Sequence, residues 1–122
     1  MKIRFNFDPN QKIFYKHYSG EVSYSDFELS WLNDIQNNVF PKETKGFLLD
    51  YRKATFAVSL NEAYKIADFF LNNLHVFYNK KIAFIASTPE QIVIPMLLHE
   101  YDKNYQSRPF STIEAAESWI IE

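Results

Sequence analysis

No cysteine occurs anywhere in the 122 residues, which removes disulfides, thiol catalysis and thiolate metal sites together. Glycine is almost as scarce. Gly20 and Gly46 are the only two, so the chain has no glycine-rich phosphate loop. Basic residues form no block and the net charge is -2, a balance that argues against nucleic acid as a partner. No apolar run approaches the roughly 18 residues of a membrane span. Met1-Lys2-Ile3-Arg4 opens no signal-peptide pattern. These absences predict a soluble, cytoplasmic chain without stable membrane insertion. Metal chemistry is equally thin. His17, His75 and His99 stand at no ligand spacing, and His99-Glu100 begins a zinc-protease signature that Lys103 breaks. No metal and no cofactor is expected.

Aromatic side chains, by contrast, make up 18% of the chain, with 12 Phe and 8 Tyr. A hydrophobic share of 47% and a charged share of 23% are globular values. The length suits one domain, residues 1–122, around one core. "KIRFNF" (2–7) alternates strictly and "KIFYKHY" (12–18) reads as its return strand, with Asp8-Pro9-Asn10 as the turn. Ser25 and Glu28 have capping-box spacing ahead of Phe27, Trp31, Leu32 and Ile35, which predicts a helix to about Asn38. "FLLDY" (47–51) and "KIAFIAS" (81–87) are apolar on both sides, as central strands are. Between them, Ser59 and Glu62 form another capping box. Ala63, Ile66, Ala67, Phe70, Leu74 and Phe77 then give one helical stripe. Thr88-Pro89 opens a third helix reaching about Lys103, with Pro95 expected to kink it or delay its start. "SRPFS" (107–111) reads as an edge strand because of Pro109, and Ser111 to Glu114 as the cap of a last helix. The order is ββαβαβαβα: an α/β chain with a mixed, mostly parallel sheet and an N-terminal hairpin.

That order resembles the STAS-like (SpoIIAA-like) fold of anti-sigma-factor antagonists. It looks closest to small bacterial stand-alone proteins grouped with the CRAL-TRIO lipid-transfer domains. The likeness rests on "YSGEVSYSDF" (18–27), "GFLLDYRKATF" (46–56) and "FSTIEAAESWI" (110–120). It implies a regulatory module working by protein contact. One departure stands out. The signalling members carry Asp-Ser-Ser-Gly after the third strand, and that site falls here on Val58-Ser59-Leu60-Asn61. Leu60 occupies the place of the phosphorylated serine, so the resemblance does not carry the phospho-switch onto this chain.

Strand C-terminal ends in a parallel sheet gather at one edge, where ligands bind. Asp50, Arg52, Ser59, Ser87, Thr88 and Ser111 fall at or near that edge. Asp50 is the one with the look of a catalytic acid or anion clamp, but no nucleophile–base pair accompanies it. The expectation is therefore structural: Asp50 accepts hydrogen bonds where the strand leaves the core and pairs with Arg52. The serines and threonines are expected to cap helices.

The aromatic excess is expected to mark a contact surface. Crossovers of one hand pile helices on one sheet face, and something must cover the other. Phe14 and Tyr18 point to one side and are taken as an apolar strip there, covered by a second copy in a homodimer or by an apolar molecule. The alternative is that helices divide between both faces. The functional expectation is a non-enzymatic regulatory or protein-interaction module. Its rivals are a binder of a small apolar or lipid-like ligand and an enzyme centred on Asp50.

Overall fold

The computed structural model describes residues 2–122. The alternating N-terminal segments pair antiparallel as β1 (Lys2–Asp8) and β2 (Ile13–Ser23). Asp8 Oδ1 closes their turn by accepting from the amides of Asn10 (2.8 Å) and Gln11 (3.2 Å). Three further strands, β3 (Gly46–Ala57), β4 (Lys81–Ile85) and β5 (Gln106–Phe110), add in parallel, giving the sheet order β1-β2-β3-β4-β5. Where four helices were expected there are five, because the second is divided: α1 (Tyr24–Gln36), α2 (Ala63–Asn72), α3 (Leu74–Phe77), α4 (Pro89–His99) and α5 (Ile113–Ile121). β5 is an edge strand, as Pro109 requires.

Several boundaries differ from expectation for local reasons. β2 runs on to Ser23, so α1 is capped there and not at Ser25. Ser23 Oγ accepts from Asp26 N (3.1 Å) and Asp26 Oδ2 from Ser23 N (3.0 Å). The stripe from Ala63 to Phe77 breaks at Asn73, whose side chain donates to the Phe69 carbonyl (2.8 Å) and competes with the helical ladder. Pro95 does not delay α4, which starts directly after Thr88 and ends at His99, short of Lys103. The last helix is capped by Thr112, which accepts from Ala115 N (3.2 Å), in place of Ser111.

A strand-crossing sequence that always moves the same way across the sheet puts α1 to α4 on one face. That face holds the larger core, in which Phe14, Tyr18, Phe47, Leu49, Ile82 and Phe84 pack against Phe27, Trp31, Phe70 and Phe77. α5 covers the other face, laying Ala116, Trp119 and Ile120 on Ile13, Tyr15, Leu48, Ala83 and Ile85. It packs so closely that a Cβ on Gly46 would stand 2.6 Å from both Ile120 Cγ2 and the Lys81 carbonyl oxygen. The expected contact surface is thereby corrected. Phe14 and Tyr18 point under α1 and are buried within their own chain, and α5 lies on the face assigned to a second copy or a ligand. The aromatic excess fills the helix-side core instead, through ring pairs such as Phe14–Phe40 (4.9 Å) and Phe47–Phe77 (5.2 Å).

One ion pair sits inside that aromatic core. Lys16, on the same face of β2 as Phe14, is fully buried beneath α1. Its ammonium donates to Ser30 Oγ (2.7 Å), meets Asp34 Oδ2 at 2.8 Å and lies 4.2 Å from the Trp31 ring centre. Burial pulls the ammonium pKa down to about 8, against the upward pull of Asp34. Removing one member of such a pair strands the other charge, whereas replacing both removes the desolvation cost together. Lys16→Met should therefore destabilise the fold by about 3 to 5 kcal/mol, and Lys16→Met with Asp34→Leu should recover most of that loss. Urea denaturation of the two single variants and the double variant checks the cycle. A double variant no more stable than Lys16→Met would show that the pair is not the source of the loss.

Candidate functional site

β3 does not end at Tyr51, as expected, but continues to Ala57. Asp50 is consequently not at a strand exit. It lies inside β3, opposite His17 on β2 and Ile85 on β4. Because the strand continues, Arg52 shares the face of Asp50, two residues on. The two make a forked pair: Nε of Arg52 donates to Oδ1 (2.9 Å) and Nη2 to Oδ2 (2.9 Å), while the Arg52 amide also donates to Oδ1 (3.1 Å). His17 Nδ1 stands 3.1 Å from Oδ2. No simple spacing announces His17, since only the β2–β3 register brings it to Asp50. Burial alone would raise the Asp50 pKa, but the hydrogen bonds from Arg52 and His17 outweigh it and hold the carboxyl below its ordinary value. Both carboxylate oxygens are thus committed. His99 takes no part, because its ring nitrogen bonds the Ser107 carbonyl (2.7 Å).

Just past Asp50 the ladder between β2 and β3 slips: His17 is paired with Asp50, but Ser19 with Lys53. Two residues of β3 thus oppose Tyr18, which is a β-bulge. The bulge shifts the side-chain alternation, so that Ala54 and Phe56 follow Tyr51 into the helix-side core. β4 has already ended at Ile85, leaving Tyr51–Ala57 without a strand partner on that side. Gln91, on α4, takes that role. Its side-chain amide donates to the carbonyls of Tyr51 (2.8 Å) and Ala54 (3.0 Å), and its Oε1 accepts from the amides of Ser87 (2.7 Å) and Thr88 (3.2 Å). Gln91 carries the capping-box position after Thr88, but its bond to β3 has no mark in the sequence.

Between the overhanging end of β3, α2 and α4 lies a cavity of about 550 Å³. Tyr51, Phe56, Ile66, Phe84 and Ile94 form its apolar wall, and Leu60, Thr88, Glu90 and Val93 its exposed rim. Of the expected site residues, Thr88 lines this cavity and also caps α4, its Oγ1 accepting from Gln91 N (3.3 Å). Ser87 and Ser59 flank it. Ser59 behaves as only half a cap, since its hydroxyl donates to Glu62 Oε1 (3.0 Å), at a short 3-10 turn over Leu60–Glu62. Asp50 and Arg52 face the other side of the sheet, and Phe14 and Tyr18 are core. The candidates therefore do not form one site.

Two solved structures superpose on nearly the whole chain. An uncharacterised protein of the DUF3478 family from Shewanella loihica PV-4, described as having a SpoIIAA-like fold, aligns with a TM-score of 0.63 at 16% identity, covering 98% of this chain and 92% of that one. The unphosphorylated anti-sigma factor antagonist SpoIIAA aligns with a TM-score of 0.56 at 7% identity, covering 98% and 97%. The fold is SpoIIAA-like. No protein-family model and no curated protein matches the chain, and identities this low carry the fold alone. Among the described residues of this SpoIIAA-like chain, no three His, Asp or Glu side chains group as a metal site. No helix among them is long and apolar enough to cross a membrane.

The Asp50 cluster has a measurable consequence. A carboxyl whose folded-state pKa is depressed adds stability above its unfolded pKa, and that stability is lost as pH falls through the folded value. Asp50→Asn should lower stability near neutral pH by about 1 to 3 kcal/mol, the range for a buried hydrogen-bonded group losing partners. The gap between the two proteins should close below about pH 4, where the unfolded carboxyl protonates. Thermal melts across the acid range check both features. An unchanged melting temperature at neutral pH would remove the structural role given to Asp50.

Proposed function

We propose that this SpoIIAA-like chain is a non-enzymatic binding module, one domain acting in the cytoplasm, and that its site is the cavity between α2 and α4. The ligand is a small, predominantly apolar molecule. The cavity itself carries the reading: about 550 Å³, walled by aromatic and aliphatic side chains, with a few hydroxyl and amide groups at its edge. Ligand pockets run from about 300 to 1,000 Å³ with this mix of apolar wall and sparse polar groups. Its place beyond the strand ends is where open α/β sheets receive ligands. The non-enzymatic part is supported by the chemistry of Asp50, whose oxygens are taken up by Arg52 and His17. None of those three residues lines the cavity.

A second reading has its own support. Val93 and Leu60 lie exposed at the mouth, and Met96 on α4 and Tyr64 on α2 are exposed apolar side chains of the two flanking helices. An apolar rim of this kind also suits a protein partner, the regulatory role that the fold suggests, and ligand occupancy would then alter the surface a partner meets.

Titration with the neutral fluorophore N-phenyl-1-naphthylamine tests the site. The probe should bind with blue-shifted emission. Val93→Ala, at an exposed rim position, should weaken it about fivefold, the loss of about 1 kcal/mol of apolar contact, with little change in melting temperature. Native mass spectrometry of the purified protein should show a retained or added small ligand on the same species. Probe fluorescence unchanged by the protein, up to the probe's solubility limit, would sink the cavity as a ligand site.

A further inference from the structure

Resting on that reading of the cavity, we propose that its ligand is an amphipathic amine: an apolar body with a cationic head, and not a fatty acid or other anionic lipid. Charge around the mouth decides this. Of the residues that line the cavity, Glu90 alone carries a charge; no lysine, arginine or histidine is among them. Glu90 is exposed at the rim, in the first turn of α4. The cations nearest in sequence are turned away or paired. Arg52 is turned to the opposite sheet face and held by Asp50. Lys53 precedes Ala54, whose side chain enters the helix-side core, so alternation turns the lysine, exposed and without an ion pair, to that opposite face as well. Lys65 is paired with Glu62 at 3.1 Å.

The start of α4 also lies at the mouth, and a helix N-terminus ordinarily favours an anion. Here its donors are spent. Pro89 at the first helical position has no N–H. The Gln91 amide is shared between the hydroxyl and the carbonyl of Thr88 (3.3 and 3.1 Å). The amide end of the Gln91 side chain faces the β3 carbonyls, and its oxygen is taken by Ser87 and Thr88. What remains for an incoming head group at this helix end is the Glu90 backbone amide, beside the full negative charge of its own side chain, and the Thr88 hydroxyl, which only accepts within the cap. An anionic head would meet that charge with no cation among the lining residues to offset it. An ammonium would meet a carboxylate and the Thr88 hydroxyl, while its hydrocarbon tail lies against Phe56, Phe84 and Ile94.

The test uses three probes of equal chain length at neutral pH (decylamine, decanol and decanoate) displacing N-phenyl-1-naphthylamine from the intact chain. Decylamine should bind about two- to fivefold more tightly than decanol, the worth of one partly solvated ion pair, with decanoate weakest. Added salt should shrink the preference. Glu90→Gln should bring decylamine to the affinity of decanol and leave decanol unchanged, and Glu90→Lys should place decanoate ahead of decylamine. Circular dichroism confirms that each variant is folded. Equal affinities of amine and alcohol in the native chain, or an amine preference that survives Glu90→Gln, would overturn the amine assignment while the cavity stands as a site. Displacement by none of the three would remove the cavity as a site and the assignment with it.

Discussion

β3 outruns β4, and most of what is distinctive in this molecule follows from that mismatch. β4 stops opposite Asp50, while β3 continues to Ala57 alongside β2. Backbone groups beyond that point have a partner strand on one side only, and unpaired buried carbonyls are costly. Gln91 answers part of that need by donating to Tyr51 and Ala54. Since one side chain replaces a whole strand, the space the strand would have filled stays open as the cavity. α4 is tied to the lip of that cavity by the same glutamine.

The bulge opposite Tyr18 then sorts the two faces of β3. Without it, the alternation after Tyr51 would carry Lys53 and Thr55 inward and leave Ala54 and Phe56 outside. With it, the apolar residues line the cavity, and Asp50 with Arg52 stays on the far side. Two chemistries that sit within seven residues of sequence are thereby separated by the thickness of a sheet. The polar one closes on itself: a forked arginine–carboxylate pair with a histidine alongside leaves no free oxygen. The apolar one stays open.

The core tells a related story about surplus. Eight tyrosines and twelve phenylalanines suggest a sticky surface when read as composition. In the folded chain most of them are used inward, Phe5, Tyr64, Tyr78 and Tyr101 being exposed, because five strands with helices on both faces provide two apolar layers to fill. The Lys16–Asp34 pair placed in the larger layer joins β2 to α1, and the desolvation of two buried charges offsets much of their attraction.

Element order was legible in the amino-acid sequence because periodicity, capping spacing and proline placement are local signals. The hairpin, the Thr88 cap and the edge position of the Pro109 strand all rest on interactions within a few residues. The pairing of Asp50 with Arg52 was legible as well, although the contact with His17 was not. Register, bulge and strand overhang depend on which distant segments meet, and no short window records that. Whether Phe14 and Tyr18 face helices or the open side turned on the direction in which each crossover moves across the sheet. So did the cover that α5 supplies and the cavity at the end of β3. The sequence by itself determined which elements exist and which side chains are apolar. Only the tertiary structure decided which apolar side chains remain open to a ligand, because that is set by where β4 stops relative to β3.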